Sequence, residues 1–434
     1  MRFQLSSTTL CSIRDPLVTW CLMIACVPGL SGWAHGAEGD WPRWRGIAVD
    51  GASTEQGLLT SWPQEGPPLA WRSKGLGRGF SSLAVVGDRI YTMGNLDDES
   101  HVFCLNRRDG SVLWKTPLGD GDPNSTPTVQ DGMVYALARS GDLAALRAGD
   151  GTIVWTVSFT KDFGGAVPGW GYSESPLVDG NTVVVTPGGP EAFLVGLDKQ
   201  TGKAIWKTAW KADDHRGHGG AGYASPVIGN GAGVRQYVTL TGKGLVGVDA
   251  QTGKLLWVYD RISNGTANIP TPIVVGDLVL TSSGYSDGGT ALVKLVRSGD
   301  RIEPQELYYF EAKEKQNHHG GMILRDGYVY MGHGHNNGFP LCFKLDTGED
   351  AWRPGRGPGE ESAAVAYADG HLYFRYQNAT MALVEATPRQ YRLKGTFKLA
   401  AHNGESWSHP VIVGGFMYLR DQDELLVYDL RRQP

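Results

Sequence analysis

Leu197-Asp198-Lys199-Gln200-Thr201-Gly202-Lys203-Ala204-Ile205-Trp206 returns almost unchanged as Val248-Asp249-Ala250-Gln251-Thr252-Gly253-Lys254-Leu255-Leu256-Trp257. Weaker copies run from Asn106 through Gly110 to Trp114, from Arg147 through Gly151 to Trp155, and from Asp346 through Gly348 to Trp352; in each the Gly stands four residues before the Trp. The pattern is that of a turn between two strands. The Asp accepts backbone N–H bonds, and the Gly supplies a positive φ that other residues resist. The Trp opens the next strand, where a large ring can pack between neighbouring units.

A second marker falls between successive Trp residues. Thr126-Pro127, Ser175-Pro176, Ser225-Pro226, Thr271-Pro272 and His409-Pro410 each lead into an alternating strand. Turn-and-strand segments follow, such as Val86-Gly87-Asp88-Arg89-Ile90-Tyr91 and Asp326-Gly327-Tyr328-Val329-Tyr330. Each unit therefore reads as four strands, A to D from the inside outward. Trp71, Trp114, Trp155, Trp206, Trp257, Tyr308, Trp352 and Phe397 mark eight D strands, 41 to 51 residues apart. That is the period of a propeller blade and not of a helical solenoid. The fold predicted over residues 67–434 is all-β, an eight-bladed β-propeller of four-stranded antiparallel blades. The last repeat stops at Tyr428-Asp429-Leu430 without a Trp strand, whereas Pro67-Pro68-Leu69-Ala70-Trp71-Arg72 is a Trp strand with nothing before it. The N-terminal Trp strand is thus expected to close the last blade, leaving no long unpaired edge. Residues 38–66, with Trp41, Trp44 and Trp62, are expected to form an arm across that seam.

Residues 1–37 read as a secretory signal. Arg2 and Arg14 precede the apolar stretch Leu17 to Leu30, and Ala34-His35-Gly36-Ala37 offers small residues for cleavage. Met23 is an alternative start, and lipid attachment at Cys26 is the rival form of processing. The mature chain is expected to be periplasmic or secreted, without a transmembrane span, and a monomer. With a formal net charge of −5 and 20% charged residues, the full sequence offers nucleic acid no electrostatic footprint. Beyond the signal only Cys104 and Cys342 remain. They occupy equivalent strand positions in blades that are not neighbours, which disfavours a disulfide, and no CxxC encodes a zinc or haem site.

The Asp-x-x-Thr-Gly-x-x-x-Trp repeat resembles the PQQ-like propeller family over essentially the whole mature chain. Trp170-Gly171-Tyr172-Ser173-Glu174-Ser175-Pro176 and Asn317-His318-His319-Gly320-Gly321 are similar to segments of bacterial secreted members. The resemblance implies one of two kinds of activity. One is that of quinoprotein alcohol and sugar dehydrogenases, which bind pyrroloquinoline quinone and calcium. The other is non-catalytic, as in the propeller lipoprotein of the outer-membrane barrel-assembly machinery. The sequence departs from the dehydrogenases in having no adjacent Cys pair, no cytochrome domain, and no evident Asn and Asp partners for Glu174. The repeat's own Asp, Gly and Trp are structural and specify fold, not chemistry.

The D-to-A connections share one face of a propeller, and the two longest run from Trp155 to Pro176 and from Trp206 to Pro226. Insertions on one face of a repeat protein mark its binding surface. The connections carry Trp170, Tyr172, Glu174, His215, His218, Tyr223, Asn264, Asn268, His318, His319, Glu360, Glu361, Glu405, Trp407 and His409. This mixture of carboxylates, imidazoles and aromatics suits an oriented polar ligand in the central funnel. His319 and Glu174 are the candidate metal ligands. His318 and His319, if on a strand, would point to opposite faces, whereas His333-Gly334-His335 could put two rings on one side or cap a turn. The run Asp213 to His218 also reads as a solvated loop. The reading that follows is a binding or assembly protein of the bacterial cell envelope, with envelope proteins, glycans or a small polar ligand as partners. A quinone- and calcium-dependent oxidoreductase and a polysaccharide hydrolase or lyase stand as alternatives.

Overall fold

The structure, a computed structural model, describes residues 39–211 and 220–432. The alternating runs form eight four-stranded antiparallel sheets. Blade 1 comprises Ala84–Val86, Arg89–Leu96, Glu99–Asn106 and Val112–Asp120. Blades 2 to 7 occupy residues 128–158, 177–208, 227–259, 273–311, 322–352 and 363–398. Blade 8 takes Val411–Val413, Phe416–Asp421 and Glu424–Asp429 from the end of the chain and its outer strand, Leu69–Ser73, from the beginning. Trp71 there pairs with Val427 and Ser73 with Leu425, so the N-terminal Trp strand closes the ring. The signal segment and Cys26 lie outside the described residues. Cys104 and Cys342 are buried and unpaired.

The repeat motif joins one blade to the next. Asp198 Oδ1 accepts from the amides of Gln200 and Thr201 and from the Thr201 hydroxyl, and Asp249 does the same with Gln251 and Thr252. This turn holds the Gly at positive φ, +71° at Gly202, with its bare Cα against the Trp of the preceding blade. A Cβ on Gly202 would fall 2.8 Å from the Trp155 ring, one on Gly151 2.6 Å from Trp114, and one on Gly253 2.5 Å from Trp206. Gly110 meets Trp71 across the closing seam in the same way, at 2.5 Å. Indole N–H groups fasten the contact. Trp114 Nε1 donates to the Ala148 carbonyl at 3.1 Å and Trp155 Nε1 to that of Lys199 at 3.0 Å. Two residues beyond the Trp, the hydroxyls of Ser73, Thr116 and Thr208 donate to the carbonyls of Gly110, Gly151 and Gly253. Only Gly allows ring, turn and hydroxyl to approach this closely. Blade 5 replaces the Thr-Gly turn with a long hairpin, Gly289–Ser298 with Arg301–Glu311, and there Trp257 turns back to Gln236 of its own blade.

A second set of bonds runs beside the channel across blades 1 to 4. Pro127, Pro176, Pro226 and Pro272 each stand immediately before an innermost strand, and the hydroxyls of Thr126, Ser175 and Ser225 beside the first three accept an amide from the preceding blade. Ser82 N donates to Thr126 Oγ1, Thr126 N to Ser175 Oγ, and Ser175 N to Ser225 Oγ, at 3.1, 3.0 and 2.8 Å. These residues therefore carry a blade-to-blade contact as well as starting strands.

The N-terminal arm does more than cover the seam. Leu58, Leu59 and Trp62 pack against blades 7 and 8, with Trp62 edge-on to Phe397 at 5.2 Å. Residues 41–53 instead cross the channel. Trp41 exchanges both backbone bonds with Val85 of blade 1, and Pro42 accepts from Val129 of blade 2. Arg43 donates to the Val178 carbonyl of blade 3, Trp44 to Thr271 before blade 5, and Arg45 to the Met322 carbonyl of blade 6. Gly51 and Ser53 then pair with Tyr367 of blade 7. Innermost strands present one unpaired backbone edge to the channel, and the arm supplies partners that buried edge groups need.

Trp155→Ala is expected to lower the unfolding free energy by about 3–5 kcal/mol, and Gly202→Ala by about 1–3 kcal/mol because its new methyl must enter the same contact at positive φ. Urea unfolding followed by fluorescence and circular dichroism checks both; unchanged midpoints would show that the Trp–Gly contact does not hold blades 2 and 3 together.

Candidate functional site

The connections before the inner strands converge on a cavity of about 350 Å3 over the channel mouth. Its walls are largely aromatic. Trp170 stands edge-on to Tyr223 with ring centroids 5.9 Å apart, and Trp407 stacks on Phe80 at 4.2 Å. Tyr285, at a positive φ of 68° uncommon for such a side chain, stands perpendicular to His318 with ring centroids 5.2 Å apart. The arm forms the floor, where Trp44 lies against His409 at 4.4 Å and Arg45 is 4% exposed. The channel is therefore closed beneath the funnel by the chain's own N-terminal segment.

Blade-to-blade bonds hold these walls in place. Arg375 and Asp421, both fully buried, fix the loop that carries Trp407. Arg375 donates to the Ser408 carbonyl and hydroxyl at 2.8 and 2.7 Å and to Ser406 Oγ at 2.8 Å, and Ser406 donates on to Asp421. Trp407 Nε1 itself donates to Gln377. Burial lowers the pKa of His318 to about 4 and that of His409 to about 3, the latter assisted by the Arg45 charge; His319 is driven well below its ordinary value for the same reason. The imidazoles are thus neutral at physiological pH. Burial also brings Arg45 down to about 10, with Asp50 opposing the shift, so its guanidinium remains charged.

Several residues expected in the funnel line this cavity: Trp170, Tyr223, His318, His319, Trp407 and His409, together with Glu405. His318 and His319 lie in a loop before blade 6 rather than on a strand, which lets their rings approach to 4.5 Å instead of diverging. His335 stacks on His318 at 4.3 Å, while His333 accepts from the Gln316 amide and faces Arg353, so that pair splits between two surroundings. Other candidates turn away from the cavity. Tyr172 is buried with its hydroxyl on the Pro187 carbonyl, and Asn268 is tied to Asn264 in a buried amide knot. Glu361 is exposed at a positive φ of 64° in the loop before blade 7. Glu174 is 3% exposed and accepts from the Thr186 amide within its own blade. His215 and His218 lie outside the described residues. Sequence reasoning missed Trp44, Arg45, Phe80 and Tyr285. The Trp-Pro-Arg-Trp-Arg run was visible as an arm, but its route through the channel depends on backbone edges that no motif marks.

A calcium-assisted quinone site needs carboxylate and amide oxygens converging on one ion. Here Glu174 is buried, its Oε1 on the Thr186 amide and its Oε2 without a partner, the Asn264 and Asn268 amides satisfy each other, and Glu405 is the carboxylate on the cavity wall among the described residues. Among the described residues no three His, Cys, Asp or Glu side chains form a metal-holding group. The donor set of the described residues does not fit that cofactor pair. Among the described residues, two carboxylates do not face each other across the cavity, as acid–base cleavage of a glycoside requires. Among the described residues no helix is long and apolar enough to cross a membrane.

Burial raises the Glu174 carboxyl to about 7, against the opposing bonds from Thr186. A raised carboxylate stabilises the fold below its unfolded pKa and loses that contribution as pH rises through the folded one. Between pH 5 and 8 the wild type should lose about 2.5 kcal/mol relative to Glu174→Gln. Unfolding of both proteins across that range checks it; parallel pH profiles would contradict the assignment.

The family model described as outer membrane protein assembly factor BamB matches residues 55–162 and 98–354. BamB of Alkalilimnicola ehrlichii is 30% identical over 140 residues, covering 30% of this chain and 32% of that protein. Quinohemoprotein alcohol dehydrogenase ADH-IIG of Pseudomonas putida is 31% identical over 155 residues, covering 32% and 21%. The aligned part thus spans a third or less of either relative. The crystal structure of BamB from Moraxella catarrhalis superimposes with a TM-score of 0.58 at 14% identity, over 85% of this chain and 98% of that one, a likeness of fold.

Proposed function

Because this chain belongs to the family whose model bears the description outer membrane protein assembly factor BamB, we propose that it is an exported binding or assembly protein of the bacterial cell envelope. It takes its ligand in the central funnel, on the face of the D-to-A loops. The observation that carries this reading is the aromatic cavity of about 350 Å3, closed below by Trp44 and Arg45. A blind, apolar pocket with fixed walls is the form of a small-ligand or side-chain socket. The kinship with envelope assembly proteins supports the location and the non-catalytic role. The kinship with quinohemoprotein dehydrogenases favours chemistry that the donor set does not supply.

Two measurements test this. Calorimetric titration with pyrroloquinoline quinone, with and without calcium, is expected to be flat; tight calcium-dependent uptake would overturn the non-catalytic reading. Purified mature protein should retain defined envelope components on an affinity support, and Trp407→Ala, with an unchanged melting temperature, should weaken retention about tenfold or more, as the loss of a buried aromatic anchor does. Equal retention by both proteins would remove the funnel from the function.

A further inference from the structure

The polar groups around the funnel are almost all committed to one another. Trp44 Nε1 donates to Thr271 Oγ1 at 3.1 Å and Trp407 Nε1 to Gln377 Oε1 at 2.9 Å. His318 meets Ser362 and Tyr285 through its two nitrogens, Asn124 donates to the Trp170 carbonyl and Ser173, and Ser225 accepts from the Ser175 amide. A hydroxyl-rich sugar entering this cavity would give up water at each hydroxyl and find few partners, which is how a site rejects polar ligands. Ring faces and edges are what the walls have to offer.

Arg45, with His319 beside it, is the exception among the described residues. It is 96% buried by its 4% exposure, and its Nη2 serves the carbonyls of Asp50 and Met322 while Nε and Nη1 have no partner. Nη1 stands where a Cβ of Gly321 would be, and both residues line the cavity. Asp50, the carboxylate that acts on Arg45, is itself bonded to Arg325 and to the Ala52 amide. Glu405, the carboxylate on the wall, is exposed, so water weakens its reach. The neighbouring His319 has both ring nitrogens buried without a partner, and its neutral ring can donate one N–H. A buried cation with two idle donors beside an aromatic enclosure is matched by a ligand that brings one negative charge on a flat apolar body.

We infer that the funnel binds a small aromatic monoanion without a metal, its charged group directed to Arg45 and its ring held between Trp170, Tyr223 and Trp407. This rests on the funnel being the ligand site. It separates the pocket from glycan binding and from the calcium-linked polycarboxylate of the dehydrogenases. It also makes the arm part of the site, since the cation that selects the ligand arrives with the segment that closes the channel.

Indole-3-acetate, indole-3-acetamide and methyl glucoside are the probes, titrated into the full mature protein by calorimetry. The acid should bind about tenfold or more tightly than the isosteric amide, and the glucoside should give no signal. Arg45→Met should reduce the acid–amide ratio to near unity, and Arg45→Lys should keep part of it. Should Arg45→Met fail to fold, the acid–amide contrast in the wild type and in Arg45→Lys still decides. Equal binding of acid and amide overturns the anion while leaving the funnel as a site. Binding of neither, with Trp407-dependent retention of envelope components intact, overturns this inference alone. Loss of both overturns the funnel reading as well, and preference for the glucoside overturns the ligand class.

Discussion

The rest of the molecule depends on the contact between an outer-strand Trp and the Gly of the following blade. A single blade has two apolar faces and cannot bury either by itself; packing between blades supplies the core. The Trp–Gly contact fixes how each blade sits on the next, because the ring, the positive-φ turn and the indole hydrogen bond all have to meet at once. Where the motif fades, other chemistry takes its place. In blade 5 it is Tyr308 bonding to the Leu345 carbonyl, and in blade 6 it is Trp352 bonding to that of Thr387. Blade 7 has Phe397 sheltered by Trp62 and Gly66 of the arm.

With the outer rim fixed in this way, the inner rim is set by smaller bonds. Hydroxyls of Thr126, Ser175 and Ser225 link the inner strands of blades 1 to 4, and they place the connecting loops directly above the channel. The arm then lies across the strand edges that remain. The floor of the funnel is thus a by-product of satisfying backbone groups, yet it brings two side chains, Trp44 and Arg45, that shape the pocket. Structure and recognition draw here on the same few residues.

Much of the architecture was legible in the sequence. Repeats such as Asp198-to-Trp206 carry turn, glycine and ring in a fixed order, so blade number and ring closure follow from counting. The site was legible only in part. Trp170, Tyr223 and Trp407 could be placed because their loops share a face. Glu174 could not, because whether a residue two positions before Pro176 points to the axis or back into its own blade depends on an amide, Thr186, from the next strand. His318 and His319 were misjudged by strand alternation, which does not govern a loop. Arg45 escaped because its partners, Asp50 aside, lie hundreds of residues away, and pairing across such distance leaves no local pattern.

The pairing of Leu69–Ser73 with Glu424–Asp429 joins the two ends of the chain, and that sets an order of events. The first strand of the ring must wait, unpaired, until the last has been made. Contacts of such sequence separation are slow to form, since loop closure comes before any gain from pairing. An incomplete ring carries an open sheet edge at blade 8, the kind of edge that recruits other chains. For a chain delivered progressively from its N-terminus, the ring loses its open edge only once Glu424–Asp429 has arrived to pair with Leu69–Ser73.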